Sequence, residues 1–225
     1  MRVVTFNIRG GLGMDGRRST LRIAETVLAL SADIVCFQEV HQRLPWSGWI
    51  DQPRQLRRAL GMRLVFQRNL VFGLGGYGVA IASRLPLLET RRHFLPSVGE
   101  RRGALKVSVG TPTGPVSVWC THWGLHQEER LRQAVQLARW VSQERQTAII
   151  CGDFNERSGA PAVRALLSGT GLRDAGADLD LATYPADLPT ARIDFLLSSP
   201  TLTPHTCAVA DTQVSDHRPV LADFL

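Results

Sequence analysis

Lysine is almost absent from this chain: of 26 lysine and arginine residues, only Lys106 is not arginine. Cysteine is scarce as well, with four residues in 225 and no C-x-x-C pair, which argues against a zinc site. Cys36, Cys120 and Cys151 each lie inside an apolar run ("DIVCFQEV", "VSVWCTHW", "AIICGDFN"). They read as buried free thiols on core strands and not as a disulfide framework. No apolar run approaches the roughly 20 residues that span a bilayer, so no transmembrane segment is expected. The start, "MRVVTFNIRGG", lacks the long apolar stretch and small-residue cleavage site of a signal peptide. It reads as a first strand, and the expected location is cytoplasmic. Low-complexity linkers and fixed-period repeats are also missing, so one domain over residues 1–225 is expected.

What is present is an ordinary core-forming composition, 44% hydrophobic with mean hydropathy near zero. The net charge is +6, and the sequence pI is about 9.9. Such a balance suits polyanionic partners: nucleic acid, phosphoesters or anionic lipid headgroups, the last through weak association with anionic surfaces. An arginine-rich composition on a solvated surface gives the same number, so charge alone leaves both readings open.

Short β-like runs recur at Arg2–Ile8, Asp33–Val40, Arg63–Gln67, Gly78–Ser83, Ala104–Val109, Val116–His122, Thr147–Gly152, Arg192–Leu197, His205–Ala210 and Pro219–Phe224. Helical patterns fall between some of them. "STLRIAETVLAL" places Leu21, Ala24, Val27, Leu28 and Ala29 toward one side, and "EERLRQAVQLARWV" does so with Leu131, Ala134, Val135, Ala138 and Val141. Ser158 followed by Pro161 marks a further helix start. "NLVFGLGGYG" reads as a hairpin or surface loop, because no helix follows it as a phosphate-cradling loop would require. Strands with interspersed helices predict two packed sheets covered by helices.

Polar residues interrupt these apolar strands at their ends. Asn7 ends "VVTFN", Glu39 ends "DIVCFQE" and His122 ends "VSVWCTH". Asp153 and Asn155 follow "TAIICG", Asp194 lies in "ARIDFLL", and Asp216–His217 precede "RPVLADF". Singly, each has a bland reading: a turn residue for Asn7, an Asx-turn for Asp216, a core histidine for His122, a partner of Arg192 or Arg218 for Asp194. As a set they predict one polar rim. In an extended segment residues two apart share a side, so Asp153 and Asn155 are expected to face that rim while Phe154 faces the core.

The order and local contexts of these motifs resemble the endonuclease/exonuclease/phosphatase superfamily, the DNase I-like fold. The resemblance runs from end to end: "TFNIRGG", "DIVCFQEV", "SRLPL", "RRGAL", "CTHWGL", "CGDFNER", "RIDFLL" and "SDHRPV". The small bacterial metal-dependent hydrolases and the sphingomyelinase-like branch are the nearest in character. Cys120-Thr121-His122 stands where abasic-site endonucleases usually carry a tyrosine motif, which counts against that branch. Many lipid-type relatives carry Asn where this chain reads Gly78-Val79-Ala80. The resemblance implies an α/β fold, a four-layer α/β/β/α sandwich with two packed, mostly antiparallel β-sheets.

It also implies divalent-metal-dependent hydrolysis of phosphodiester or phosphomonoester bonds, with a DNA or RNA nuclease as the alternative. A non-catalytic module binding anionic partners is a third reading. Glu39, Asn7 and Asp216 offer only hard oxygen donors, which suits Mg²⁺ or Mn²⁺ over Zn²⁺. By resemblance Glu39 is the chief metal ligand. Asp153 would orient or deprotonate the attacking water, and Asn155, which cannot titrate, would hydrogen-bond phosphate or water. His217 would contact the phosphate with Asp194 holding its ring, and His122 would protonate or stabilise the leaving oxygen. Arg102 either clamps a substrate phosphate or pairs with Glu100. Arg84 lies in a family-like motif. His126 reads as surface. Arg54, Arg57, Arg58, Arg63 and Arg68 read as a solvated helix face or a track for a nucleic-acid backbone. Trp46, Trp49 and Trp123 line a groove or pack elsewhere, and specificity is expected in the loops Trp46–Pro53 and Gly73–Gly78.

Overall fold

Strands whose two faces are both covered carry near-continuous apolar runs, and most strands here do. The computed structural model describes residues 1–144, 146–177, 179 and 182–225. One sheet contains β1 (Arg2–Asn7), β2 (Ile34–Gln42), β3 (Arg63–Phe72), β4 (Gly75–Ser83), β11 (Pro204–Val209) and β12 (Val220–Phe224), in the order β11-β12-β1-β2-β4-β3. The other contains β5 (Leu87–Phe94), β6 (Gly103–Thr111), β7 (Gly114–His122), β8 (Thr147–Asp153), β9 (Arg173–Asp174) and β10 (Asp194–Ser198), in the order β5-β6-β7-β8-β10-β9. Each sheet has one parallel pair, β1 with β2 and β7 with β8; the other pairings are antiparallel.

Alternate residues divide between two environments. Val3, Ile34, Cys36, Ile81, Val107, Val118, Cys151 and Leu196 fill the layer between the sheets. Their neighbours Val4, Phe6, Val35, Phe37 and Ala82 face α1 (Thr20–Ala29) and α2 (Gln52–Leu60). Trp119, Ile150, Phe195 and Leu197 face α3 (Gln127–Ser142) and α4 (Pro161–Thr170). The result is the expected α/β/β/α sandwich with DNase I-like topology. Cys36, Cys120 and Cys151 are buried free thiols, and Cys207 is free and half-buried. No described helix is long and apolar enough to cross a membrane.

Several local expectations are corrected. α3 buries the expected Ala134, Ala138 and Val141 with Leu137, but it turns Leu131 and Val135 to solvent and buries Glu129 and Gln133 in their place. Its inner face therefore includes two polar residues that take up loop backbone: Glu129 accepts from the Val98 N–H, and Gln133 donates to Pro96 O and accepts from the Gly124 N–H. In α1, Leu21 and Leu28 are exposed while Thr20 and Ile23 are buried. Ala160, not Ser158, precedes α4, with Pro161 in its first turn. β5 and the two-residue β9 were not expected; both are edge strands, where exposed residues such as Arg91 and Arg92 break the apolar alternation.

Candidate active site

Neighbouring strand ends build one row of side chains. In the parallel pair β7–β8 His122 lies opposite Asp153, and in the antiparallel pair β8–β10 Asp153 lies opposite Asp194. Gly152 permits the close approach behind this row, since a Cβ there would come within 2.1 Å of Thr121 O. Across the sandwich, Asn7 ends β1 and pairs with Gln38 of β2. Its amide donates to Glu39 Oε1 at 3.1 Å and to Asp153 Oδ2 at 2.9 Å, joining the two sheets. The Asn7 oxygen accepts from the Arg9 N–H at 3.1 Å, so Asn7 presents an N–H to the site and orients two carboxylates.

Glu39 reaches the rim through a β-bulge. The β2–β4 register slips between Phe37 and Val40, and Glu39 has φ +54°. Cys36 and Gln38 face inward and Phe37 outward, so an unbroken strand would put Glu39 on the helix-covered face and Val40 in the inner layer. The extra residue returns Val40 to the outer cluster and frees the Glu39 carboxylate for the mouth of the site. A non-glycine residue at positive φ is strained by roughly 1–2 kcal/mol, tolerated where the surroundings impose it.

The "GDFN" segment reaches the same destination by a different route from simple alternation. β8 ends at Asp153; Phe154 is buried in a stack with Trp123 and Phe195 at centroid distances of 4.2 and 5.0 Å. Asn155 then turns to φ +49°, its N–H donating to Asp153 Oδ1 at 2.9 Å and its side-chain amide to Trp123 O at 3.0 Å. Trp123 is therefore core, not groove.

On the other side of Asp153, His217 Nδ1 meets Asp194 Oδ2 at 2.9 Å, and Thr183 Oγ1 donates to the same oxygen at 2.6 Å. Arg192 is paired with Asp174 and Arg218 with Asp211, which leaves Asp194 to the imidazole. His217 Nε2 faces Asp153 Oδ2 at 3.7 Å, and His122 Nε2 faces it at 3.5 Å. Ser215 Oγ donates to Asn7 O at 2.7 Å and sits under the His217 N–H at 3.4 Å, tying the "SDH" loop to β1. Asp216 pairs with Arg9 at 3.3 Å.

Electrostatics separate these groups. Burial raises Asp153 to about 7, with His217 opposing and Asp194 reinforcing the shift. Burial pulls His217 down, but Asp194 and Asp153 outweigh it and hold the ring up to about 10. His122 is pushed well below the ordinary histidine value by burial, then by the positive Arg102 and His217, so it is neutral. Partial burial raises Glu39, the Asn7 hydrogen bond opposes, and Asp216 raises it further.

A cavity of about 550 Å³ opens over this group, lined by Glu39, Arg102, His122, Asp153, Asn155, Asp216 and His217 among others. Asn7 and Asp194 are buried behind it. Arg102 is buried, and its Nη1 lies 3.1 Å from Glu100 Oε1 without hydrogen-bond alignment; its Nε and Nη1 have no hydrogen-bond partner among the described residues. Both sequence readings of Arg102 thus have a geometric basis. Arg84 donates to Ala32 O away from the cavity, and His126 is exposed at the start of α3. Sequence reasoning did not single out Tyr77, whose hydroxyl lies 3.4 Å from His122 Nδ1, or Tyr184, whose ring lies 4.9 Å from that of His217. They are the only two tyrosines in the chain, which was the available signal.

The cation fit rests on the donors. Glu39 and Asp216 repel one another at the cavity wall, and their oxygens suit a hard divalent ion. Asp153, Asp194 and His217 also bring one ligand atom each within 4.8 Å of one another. There Asp194 Oδ2 already takes two donors, so that group is a hydrogen-bonded relay first.

In metal-free protein, the raised pKa values predict falling stability with rising pH. His217 stabilises fully below about 6.5, and that contribution is lost as pH rises toward about 10; Asp153 acts with the same sign between about 4 and about 7. Melting in EDTA should show Tm falling by roughly 5 °C or more between pH 6.5 and 10, and Asp194→Asn should flatten that slope.

A two-sheet sandwich with carboxylates, carboxamides and imidazoles meeting at one rim defines the DNase I-like class of phosphoester hydrolases. Within that class the chain belongs to the Endonuclease/Exonuclease/phosphatase family, which matches residues 4–217. It is 31% identical over 246 residues to the uncharacterized protein YbhP of Escherichia coli (strain K12), covering 99% of this chain and 95% of that one. The fold is shared with an endonuclease/exonuclease/phosphatase from Bacteroides vulgatus at TM-score 0.84 and 21% identity, over 100% of this chain and 98% of that one. It is shared likewise with the Bacteroides thetaiotaomicron mannosyl-6-phosphatase Bt3783 at TM-score 0.83 and 20% identity, over 100% and 99%.

Proposed function

We propose that this chain, a single domain, hydrolyses phosphodiester bonds with a divalent cation, Mg²⁺ or Mn²⁺, by in-line attack of water. The observation that carries the reading is the convergence on Asp153 of His122, His217 and Asn7 at one end of an open cavity. Asp153, titrating near neutrality, accepts the proton of the attacking water, which suits a general base working at that pH. The water oxygen bonds to phosphorus as the opposite P–O bond breaks. His217, held cationic by Asp194, donates from Nε2 to a non-bridging oxygen, and Asn155 offers its remaining amide capacity to phosphate or water. Arg102 lines the cavity beside its ion-pair partner Glu100 and offers its guanidinium charge to the same anion. His122 is neutral, so it stabilises the leaving oxygen by a hydrogen bond, and that oxygen takes its proton from solvent as it departs.

Glu39 and Asp216 would hold the cation, oriented by Asn7. When bound, it neutralises charge on the phosphoryl oxygens and steadies the departing one.

The test is turnover of bis(p-nitrophenyl) phosphate, p-nitrophenyl phosphate, plasmid DNA and a phospholipid panel, each with Mg²⁺, Mn²⁺ or EDTA. Diester turnover with metal and none in EDTA is expected. Cleavage of DNA alone would replace this reading with the nuclease one, and monoester turnover alone would make the protein a phosphatase. No turnover of any substrate would overturn the enzyme assignment.

A further inference from the structure

The hairpin tip formed by the end of β3, the Gly73–Leu74 turn and the start of β4 carries apolar side chains where solvent-facing tips usually carry polar ones. Residues 69–77, "NLVFGLGGY", contain no charge. Val71, Phe72 and Leu74 are exposed, Leu74 at 85%. Beside them the 45–50 segment exposes Trp46 and Trp49, the latter at 65%. The two segments form one protrusion: Trp46 and Phe72 meet edge to face at 5.2 Å and 89°, and a Cβ on Gly75 would come within 2.4 Å of Arg43 O. Trp46 and Leu70 continue this apolar surface down the cavity wall to the proposed site.

The same stretch concentrates the positive charge. Residues 41–75 hold six arginines and one acidic residue, Asp51, a net of +5 out of +6 for the chain. Arg43, Arg54, Arg57 and Arg58 are exposed, with Arg43 beside Gly75 and α2 leading away from the Gln42–Asp51 bridge; Arg63 stands at the far end of the β3–β4 pair, opposite Ser83. An uncharged apolar tip with guanidinium groups behind it matches the layering of an anionic bilayer, with hydrocarbon inside and phosphate outside. Single-stranded nucleic acid fits less well: Val71 and Leu74 offer no aromatic face, the Trp46 and Phe72 rings are engaged edge to face, and Trp49 alone is left to stack on a base. A second copy docking through the same face would set two +5 stretches against each other.

We propose that the β3–β4 tip and the 45–50 segment insert into the headgroup–acyl boundary of an anionic phospholipid surface, placing the cavity mouth at that interface. The attachment stands on these residues alone; that the substrate is a phosphodiester held in the membrane rests additionally on the phosphoesterase reading.

Flotation with phosphatidylcholine vesicles, with and without phosphatidylglycerol, tests it. Wild-type protein should float with the anionic vesicles and retain much of that binding in high salt. The double variant Phe72→Asp, Leu74→Asp should partition at least about tenfold more weakly. An unchanged melting curve, and unchanged turnover of the soluble diester, would show that its fold and site survive. Wild-type protein left unbound by anionic vesicles overturns the proposal, as does equal binding by the variant. Complete release by salt reduces the contact to arginine electrostatics and also overturns it. Loss of single-stranded DNA binding in the variant, with vesicles ignored by both proteins, would reassign the surface to nucleic acid. Because flotation needs no turnover, an inactive enzyme would refute the proposed reaction without touching this result.

Discussion

Asp153→Asn is expected to lower kcat for a phosphodiester by about 10²–10⁴-fold while leaving KM within a few-fold. The asparagine has nearly the same shape and can still accept from the Asn155 N–H, the contact Asp153 Oδ1 makes at 2.9 Å. It cannot take a proton from water at neutral pH. The oxygen lost, Asp153 Oδ2, accepts from Asn7 at 2.9 Å and lies 3.5 Å from His122 Nε2 and 3.7 Å from His217 Nε2. An effect on kcat alone would mean the loss falls on the reacting state and not on binding. The pH–rate profile sharpens the test. The acid limb of the wild type should reflect ionisation of the Asp153 cluster, and that limb should be absent from the residual activity of the variant. A drop of less than about fivefold would place the base elsewhere.

Much of this candidate site is legible in the sequence because strand ends carry unusual chemistry. "GDFN", "QEV" and "SDH" put carboxylates, carboxamides and imidazoles where apolar runs stop, and the fold brings those ends to one rim. What the linear order could not supply was pairing. His217 finds Asp194 rather than a nearby arginine because Arg192 and Arg218 are taken by Asp174 and Asp211. Glu39 faces the cavity only because the β2–β4 register slips by one residue, a property of two strands and not of one. The orientation of Asn7, donating to Glu39 and Asp153, likewise appears only when both sheets are present.

The helices show the same limit. Leu131 and Val135 look like core by period, yet Glu129 and Gln133 take the inner face because loop backbone between β5 and β6 and after β7 needs their hydrogen bonds. β5 is not legible in the sequence because it is an edge strand among the described residues, so nothing required alternating apolar residues along it. Tyr77 sits at the start of β4 among glycines, whose spacing reads as a hairpin or loop and masks the strand.

Glu39→Gln should remove divalent-cation binding, and the clearest readout does not depend on turnover. A ligand that binds only the folded state raises stability by about 2.7 kcal/mol at a concentration 100 times its Kd, or roughly 5–10 °C in Tm for a chain of this size. Wild-type protein should show that shift with Mg²⁺ or Mn²⁺, and EDTA should reverse it. In Glu39→Gln the shift should vanish although the amide keeps the bulge and an oxygen for the Asn7 donor. The reason is charge. Glu39 is raised by partial burial and by Asp216 across the cavity, a repulsion that a cation between them would relieve and that glutamine removes beforehand. Without the cation kcat/KM should fall by about 10²–10³-fold, comparable to loss of a strong transition-state contact. His122→Ala is the control: neutral and not a hard ligand, it should keep the Tm shift while losing rate. Retention of the full shift in Glu39→Gln would transfer the cation to the Asp153–Asp194–His217 group, the other set of donors within reach of one ion.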